Sequence, residues 1–105
     1  MSKQTHLKAD DRKTQILDAA VRLSEQEGYM RVGRDDIADL AGCASSLVVH
    51  YFGTMIHLRR AIMSAAVHRE NLTILAQGLS LGDSKARAAP LSLRARAAAF
   101  IVSGE

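Results

Sequence analysis

Residues 36–52 read DIADLAGCASSLVVHYF, and this stretch decides the fold. Ile37, Ala38 and Ala41 recur at helical spacing, behind Asp35 and Asp36 in the first turn, where the helix dipole favours carboxylates. The segment starts at Gly33 or Arg34. Gly42 breaks it, and Gly42-Cys43-Ala44 reads as a tight turn. A second short helix over about 45–51 runs into the aromatics Tyr51 and Phe52. Two short helices joined by a glycine-containing turn read as a helix-turn-helix, whose second helix usually lies in the major groove of DNA.

Upstream, Ile16, Leu17, Ala20, Val21 and Leu23 predict a first helix over about 11–27, capped by Asp10 or Asp11. Gly28 stops it by accepting a left-handed conformation, and Tyr29 packs back on its end. Residues 1–9 lack periodicity and read as a basic arm. With Lys3, Lys8, Arg12 and Lys13, this end either is simply solvated or follows a phosphate backbone. Downstream, Gly53-Thr54 interrupts the pattern, and Thr54 suits the cap of a long fourth helix expected over 55–77. Its apolar positions include Ile56, Ala61, Ile62, Ala65, Ala66, Leu72 and Leu75. Residues 78–89, rich in Gly, Ser and charge, read as a loop, and Pro90 opens a last helix carrying Leu93, Ala97, Phe100 and Ile101 on one side. No stretch alternates as a strand would, so the expected fold class is all-α. The expected organisation is a basic arm at 1–9, a DNA-binding unit at 10–77, and a linker with a short helix at 78–105.

Composition narrows the classes. A chain of 105 residues is one domain, and 48% hydrophobic residues with only four aromatics means a core of Leu, Ile, Val, Ala and Met. The formal net charge of +3 suits a nucleic-acid partner without requiring one. Cys43 is the single cysteine, which excludes an intrachain disulfide and fits a reducing compartment. There is no membrane-length apolar run and no signal-peptide core, so a cytoplasmic protein with no membrane partner is expected. Catalysis is not expected, since Cys43 has no histidine at a telling spacing. No cofactor is expected. No metal site is expected either: His50, His57 and His68 are interrupted by Gly53-Thr54, and no Cys-x-x-Cys or His-Glu-x-x-His is present.

The motifs ILDAAVRL, EGY, DDIADLAG and HYF, followed by Leu58, stand in an order and spacing that resembles the TetR family of bacterial transcriptional regulators, over about residues 12–65. The resemblance implies that the helix from Ser45 enters the major groove and that the start of the next helix faces the backbone. By position, Ser45, Ser46, Leu47, Val49 and His50 would face bases, and Arg34, Tyr51 and Thr54 would face phosphates. Val48 and Phe52 would be core. The residues alone leave open that Leu47 and Val49 are core too and His50 an ordinary surface histidine.

Departures from the family pattern matter. Ala44 stands where Ser is common, so Ser45 is expected to take over the cap. Val49 replaces a frequent Tyr, Met55 a usual Lys and Gly33 a common Thr, while Asp35 adds a negative charge near phosphate. These changes predict weak nonspecific binding with a shallow salt dependence. The base-facing set lacks Arg, Asn and Gln, so thymine methyls beside Leu47 and Val49, together with DNA shape, would carry readout.

Family members carry a large C-terminal domain for dimerisation and inducer binding. Only about 40 residues follow the DNA-binding motif here, so no small-molecule inducer is expected. The expected function is a homodimeric repressor on an inverted-repeat operator. Leu93, Ala97, Phe100 and Ile101 would form the dimer contact, with Ala95, Ala98 and Ala99 allowing close approach, unless this helix folds on its own core. The alternative is a protein-interaction module that pairs with, or antagonises, a full-length regulator.

Overall fold

The computed structural model describes residues 9–103. The basic arm expected at 1–9 lies almost wholly outside them. The described residues form helices and no strand: α1 (Ala9–Glu27), α2 (Arg34–Ala41), α3 (Ser45–Phe52), α4 (Met55–His68), α5 (Leu72–Leu81), α6 (Ser84–Arg87) and α7 (Leu91–Ser103). None is long and apolar enough to cross a membrane.

α1 buries Ile16, Ala19, Ala20 and Ser24, a stripe at three- and four-residue spacing, against α2, α4 and α5. Gly28, with φ of 98°, ends it as expected, and its N–H donates to the Ser24 carbonyl at 2.9 Å. Tyr29 then turns inward and is only 3% exposed. α2 contributes Ile37, Ala38 and Ala41 to the core, while α3 contributes Val48 and Phe52. α4 supplies Leu58, Ile62, Met63, Ala65 and Ala66, so the three helices of the head close on a fourth.

The expected single helix from Met55 to Gln77 is two helices. The chain breaks at Arg69-Glu70-Asn71, where Glu70 takes a left-handed φ of 56°. Asn71 makes the break favourable. Its Oδ1 accepts from Ile74 N–H at 3.1 Å and caps α5, while its Nδ2 donates to Glu25 on α1 at 2.7 Å. An Arg69–Asp18 ion pair of 2.8 Å ties the same corner to α1. A continued apolar periodicity hid a strong capping residue.

The loop expected over 78–89 is also mostly ordered helix. α5 continues to Leu81 and stops at Gly82, and Asp83 caps the short α6 by accepting from Lys85 and Ala86 N–H at 2.9 and 3.0 Å. Gly78 lets α4, α5 and α6 approach closely, since a Cβ there would stand 2.5 Å from Met63 Cε and 2.8 Å from Ala86 Cβ. Pro90 precedes α7, as expected. α7 packs on α5, and its Leu93 and Ala97 are buried in the chain's own core. Those two are thus corrected from interface surface to core, whereas Phe100 and Ile101 remain exposed at 41% and 43%.

A polar tie joins the head to the later helices. The Gln77 side chain on α5 donates to the Ser24 carbonyl at 2.9 Å and accepts from Tyr29 N–H at 2.9 Å, satisfying both sides of the turn that ends α1. The Tyr29 hydroxyl donates to Asp83 Oδ2 at 3.0 Å. Burial, then the bond to Asp83 and its charge, push the Tyr29 hydroxyl up to about 12, with Arg59 pulling it the other way.

Candidate nucleic-acid interface

The candidate interface is built by the α2–turn–α3 unit and the start of α4. Gly42, with φ of 73°, lets Cys43 N–H bond back to the Ala38 carbonyl at 3.0 Å, which closes α2 and turns the chain sharply into α3. Val48 and Phe52 then anchor α3 on the core, fully and nearly buried. With those two facing in, α3 leaves Ser46, Val49 and His50 outward, with Val49 40% exposed. Ser45, Leu47 and Tyr51 are half-buried at the edges of that face. Leu47 and Tyr51 both pack against the core cluster, so part of each side chain is structural.

The expected cap by Ser45 does not form. Ala44 occupies the cap position with no side-chain bond, and the Ser45 hydroxyl instead donates to Asp35 Oδ1 on α2 at 2.5 Å. A hydrogen bond to a carboxylate is stronger than one to a neutral acceptor, and here it clips the two helices of the motif together. Asp35 therefore does more than add negative charge.

At the far end of α3, Gly53 adopts φ 75° and ψ −136°, a backbone state that side-chain-bearing residues avoid. Thr54 caps α4 as expected, its Oγ1 accepting from His57 N–H at 3.3 Å and lying 3.1 Å from His57 Nδ1. The His50 ring meets Tyr51 edge-on, with centroids 4.9 Å apart. Lys13 Nζ lies 5.6 Å from the Phe52 ring centroid, bringing a cation from α1 beside the end of α3. Arg34 stands exposed at the start of α2.

Of the residues expected to face DNA, the structure brings Ser45, Ser46, Leu47, Val49, His50, Tyr51 and Thr54 onto α3 and the adjoining turn, with Arg34 on α2. Sequence reasoning missed the contact of His57 with Thr54 and that of Lys13 with Phe52. The signal for His57 was its position three residues after a capping threonine. Lys13 next to Phe52 has no local signal, because the contact joins α1 to α3. Among the described residues no cluster of three or more His, Cys, Asp or Glu could hold a metal ion. The surface is suited to shape-complementary contact with a few hydroxyl, imidazole and apolar groups, and it carries few cations of its own.

The family model for bacterial regulatory proteins of the tetR family matches residues 16–62, from the first buried isoleucine of α1 to a buried isoleucine of α4. Over these residues the chain has the helix-turn-helix region of that family. Two HTH-type transcriptional regulators from two strains of Mycobacterium tuberculosis are each 39% identical to it over 69 residues, covering 66% of this chain and 30% of their own length. The chain thus spans less than a third of those relatives. No solved structure matches it. The matched residues contain the whole helix-turn-helix and all of the candidate DNA-facing side chains, so the tetR-family match and the α3 surface concern the same part of the molecule.

Proposed function

We propose that this protein is a tetR-family, sequence-specific double-stranded DNA-binding regulator that acts in the bacterial cytoplasm as a dimeric repressor on an inverted-repeat operator. The observation that carries the reading is the outward face of α3, rigidly held by Val48 and Phe52 and clipped to α2 by Ser45–Asp35. Ser46, Val49 and His50 are the exposed base-facing set, with the outer edges of Ser45 and Leu47 beside them. Val49 and Leu47 offer methyl groups to thymine methyls, and the Ser and His groups can donate or accept at base edges. Tyr51, Thr54 and Arg34 contact phosphates.

Dimerisation follows from the size of one reading head, because a single short helix covers too few base pairs for useful specificity. Phe100 and Ile101 are exposed apolar side chains near the end of α7 and form the dimer contact in this reading. Repression is by occlusion of a promoter. The reading assigns no inducer to the described residues, whose surface depressions of about 190–460 Å³ are open troughs.

The test is titration of a selected duplex with three forms of the protein. His50→Ala should lose discrimination against substituted sites by about 1–3 kcal/mol. Tyr51→Phe should weaken all duplexes alike, since phosphate contacts carry no sequence information. Equal losses on every duplex for both variants would remove the base-reading assignment of α3. Absence of DNA binding by the wild type would favour the interaction-module alternative.

A further inference from the structure

Away from the α3 face, two adjoining depressions share Tyr29 and Met30. One, of about 340 Å³, runs along the turn after α1 to Ser80 and Leu81 at the end of α5. The other, of about 190 Å³, continues past Ile56 to Arg59, Arg60 and Asp83. Three large apolar side chains stand out along this trough: Met30 at 47% exposed, Ile56 at 62% and Leu81 at 64%. Exposed apolar side chains grouped this way mark an interaction surface more often than scattered ones do.

The charges beside it are one-sided. Arg31, Arg59 and Arg60 line the trough and have no carboxylate partner, for the ion pairs of the described residues are Arg69–Asp18 and Arg96–Glu70. Arg59 also has a buried Nε without a hydrogen-bond partner. The one carboxylate in the trough, Asp83, is already committed to the Tyr29 hydroxyl and to the cap of α6. The trough therefore asks for an apolar knob flanked by carboxylates.

The chain itself presents such a knob. On α2, Leu40 is 45% exposed, and Asp36 and Asp39 lie four and one residues before it. Positions 36, 39 and 40 share one exposed stripe of the helix, because residues three and four apart are surface neighbours. Neither carboxylate has a hydrogen-bond or ion-pair partner among the described residues. Two copies of a chain with net charge +3 repel at long range, and local complementarity of this kind offsets that repulsion.

We propose that the Met30–Ile56–Leu81 trough receives the Leu40 end of α2 from a second copy of the chain. Leu40 enters between Met30 and Ile56, and Asp36 and Asp39 meet Arg59 and Arg60. The two contacting surfaces are different patches, so the contact is head-to-tail and can repeat, unlike a closed two-fold dimer. It does not depend on DNA and is separate from the α7 contact, so its failure leaves the DNA-binding reading standing.

The test is sedimentation of the full chain without DNA, over a range of concentration and salt. The expected result is a mean mass that rises past the dimer with concentration and falls as salt screens the rim charges. Leu40→Asp and Arg60→Glu, both at exposed positions, should each raise the concentration for half-association about tenfold or more, with an unchanged helical signal and melting temperature. Combining Arg60→Glu with Asp39→Arg should restore association by exchanging the charges. A mass that stops at a monomer or a closed dimer would overturn the proposal. So would Leu40→Asp associating like the wild type, or no recovery in the double variant. Loss of DNA affinity in Arg60→Glu with association unchanged would assign the trough to phosphate instead.

Discussion

Tyr29→Phe is the sharpest test of how the reading head is fastened to the rest of the chain. The ring is buried and stays so in the variant; only the hydroxyl that donates to Asp83 at 3.0 Å is lost. A hydrogen bond to a charged group contributes about 1.5–3 kcal/mol, and Asp83 is only half-buried, so water can partly replace the donor. The expected loss is about 1.5–2 kcal/mol, or about 7–9 °C in melting temperature for a domain of this size. The pH dependence makes the test specific. The native hydroxyl titrates at about 12, above the ordinary 10.0 of an unfolded tyrosine. Its stabilisation is therefore complete below pH 10 and declines as pH rises towards 12. Urea unfolding of both proteins at steps from pH 8 upward should show a gap that is constant at first and narrows above pH 10. Equal stability at pH 8, or a gap that does not narrow, would refute the tie between Tyr29 and Asp83.

Three further outcomes follow from the same geometry. Gly78→Ala places a methyl against Met63 and the backbone-anchored Ala86 Cβ, and should cost about 1–3 kcal/mol by chemical denaturation; a neutral result would mean that α6 does not pack where it is described. Thr54→Ala removes the cap of α4 and should cost about 1 kcal/mol, with Thr54→Ser nearly neutral in the same melting assay. Asp35→Ala releases the Ser45 hydroxyl and removes a negative charge beside the α3 face, so affinity for random duplex at low salt should rise about three- to tenfold by fluorescence anisotropy. Unchanged binding in that assay would mean that α2 lies away from the phosphates.

The helix-turn-helix was legible because its punctuation is chemical. Gly28, Gly42 and Gly53 all take positive φ, and Thr54 is a capping side chain, so each boundary has a residue that demands it. Beyond α4 the signals competed. The apolar spacing of Ala65, Ala66, Leu72 and Leu75 suggested a continuous helix, whereas Asn71, with partners on α1 and α5, ends one helix and starts another. The Gly- and Ser-rich run after Gly78 reads as a loop until Gly78 is seen to be a packing contact and Asp83 a cap. In the candidate interface, the residues of α3 could be placed from the family pattern. The pairing of Ser45 with Asp35 could not, because it depends on how α2 and α3 cross. The inward turn of Leu93 and Ala97 was equally hidden, since the Ala-rich α7 offers apolar positions on more than one side.

The most direct measurement is selection of random duplex DNA on the purified chain, followed by titration of the winning duplex against salt. Enrichment of an inverted repeat with thymine at fixed positions in each half is the expected result. Affinity should fall only shallowly with salt, because the α3 face and its surroundings carry few cations to displace counterions. No enrichment, or binding that disappears steeply with salt and is equal on all sequences, would contradict the claim that α3 reads DNA.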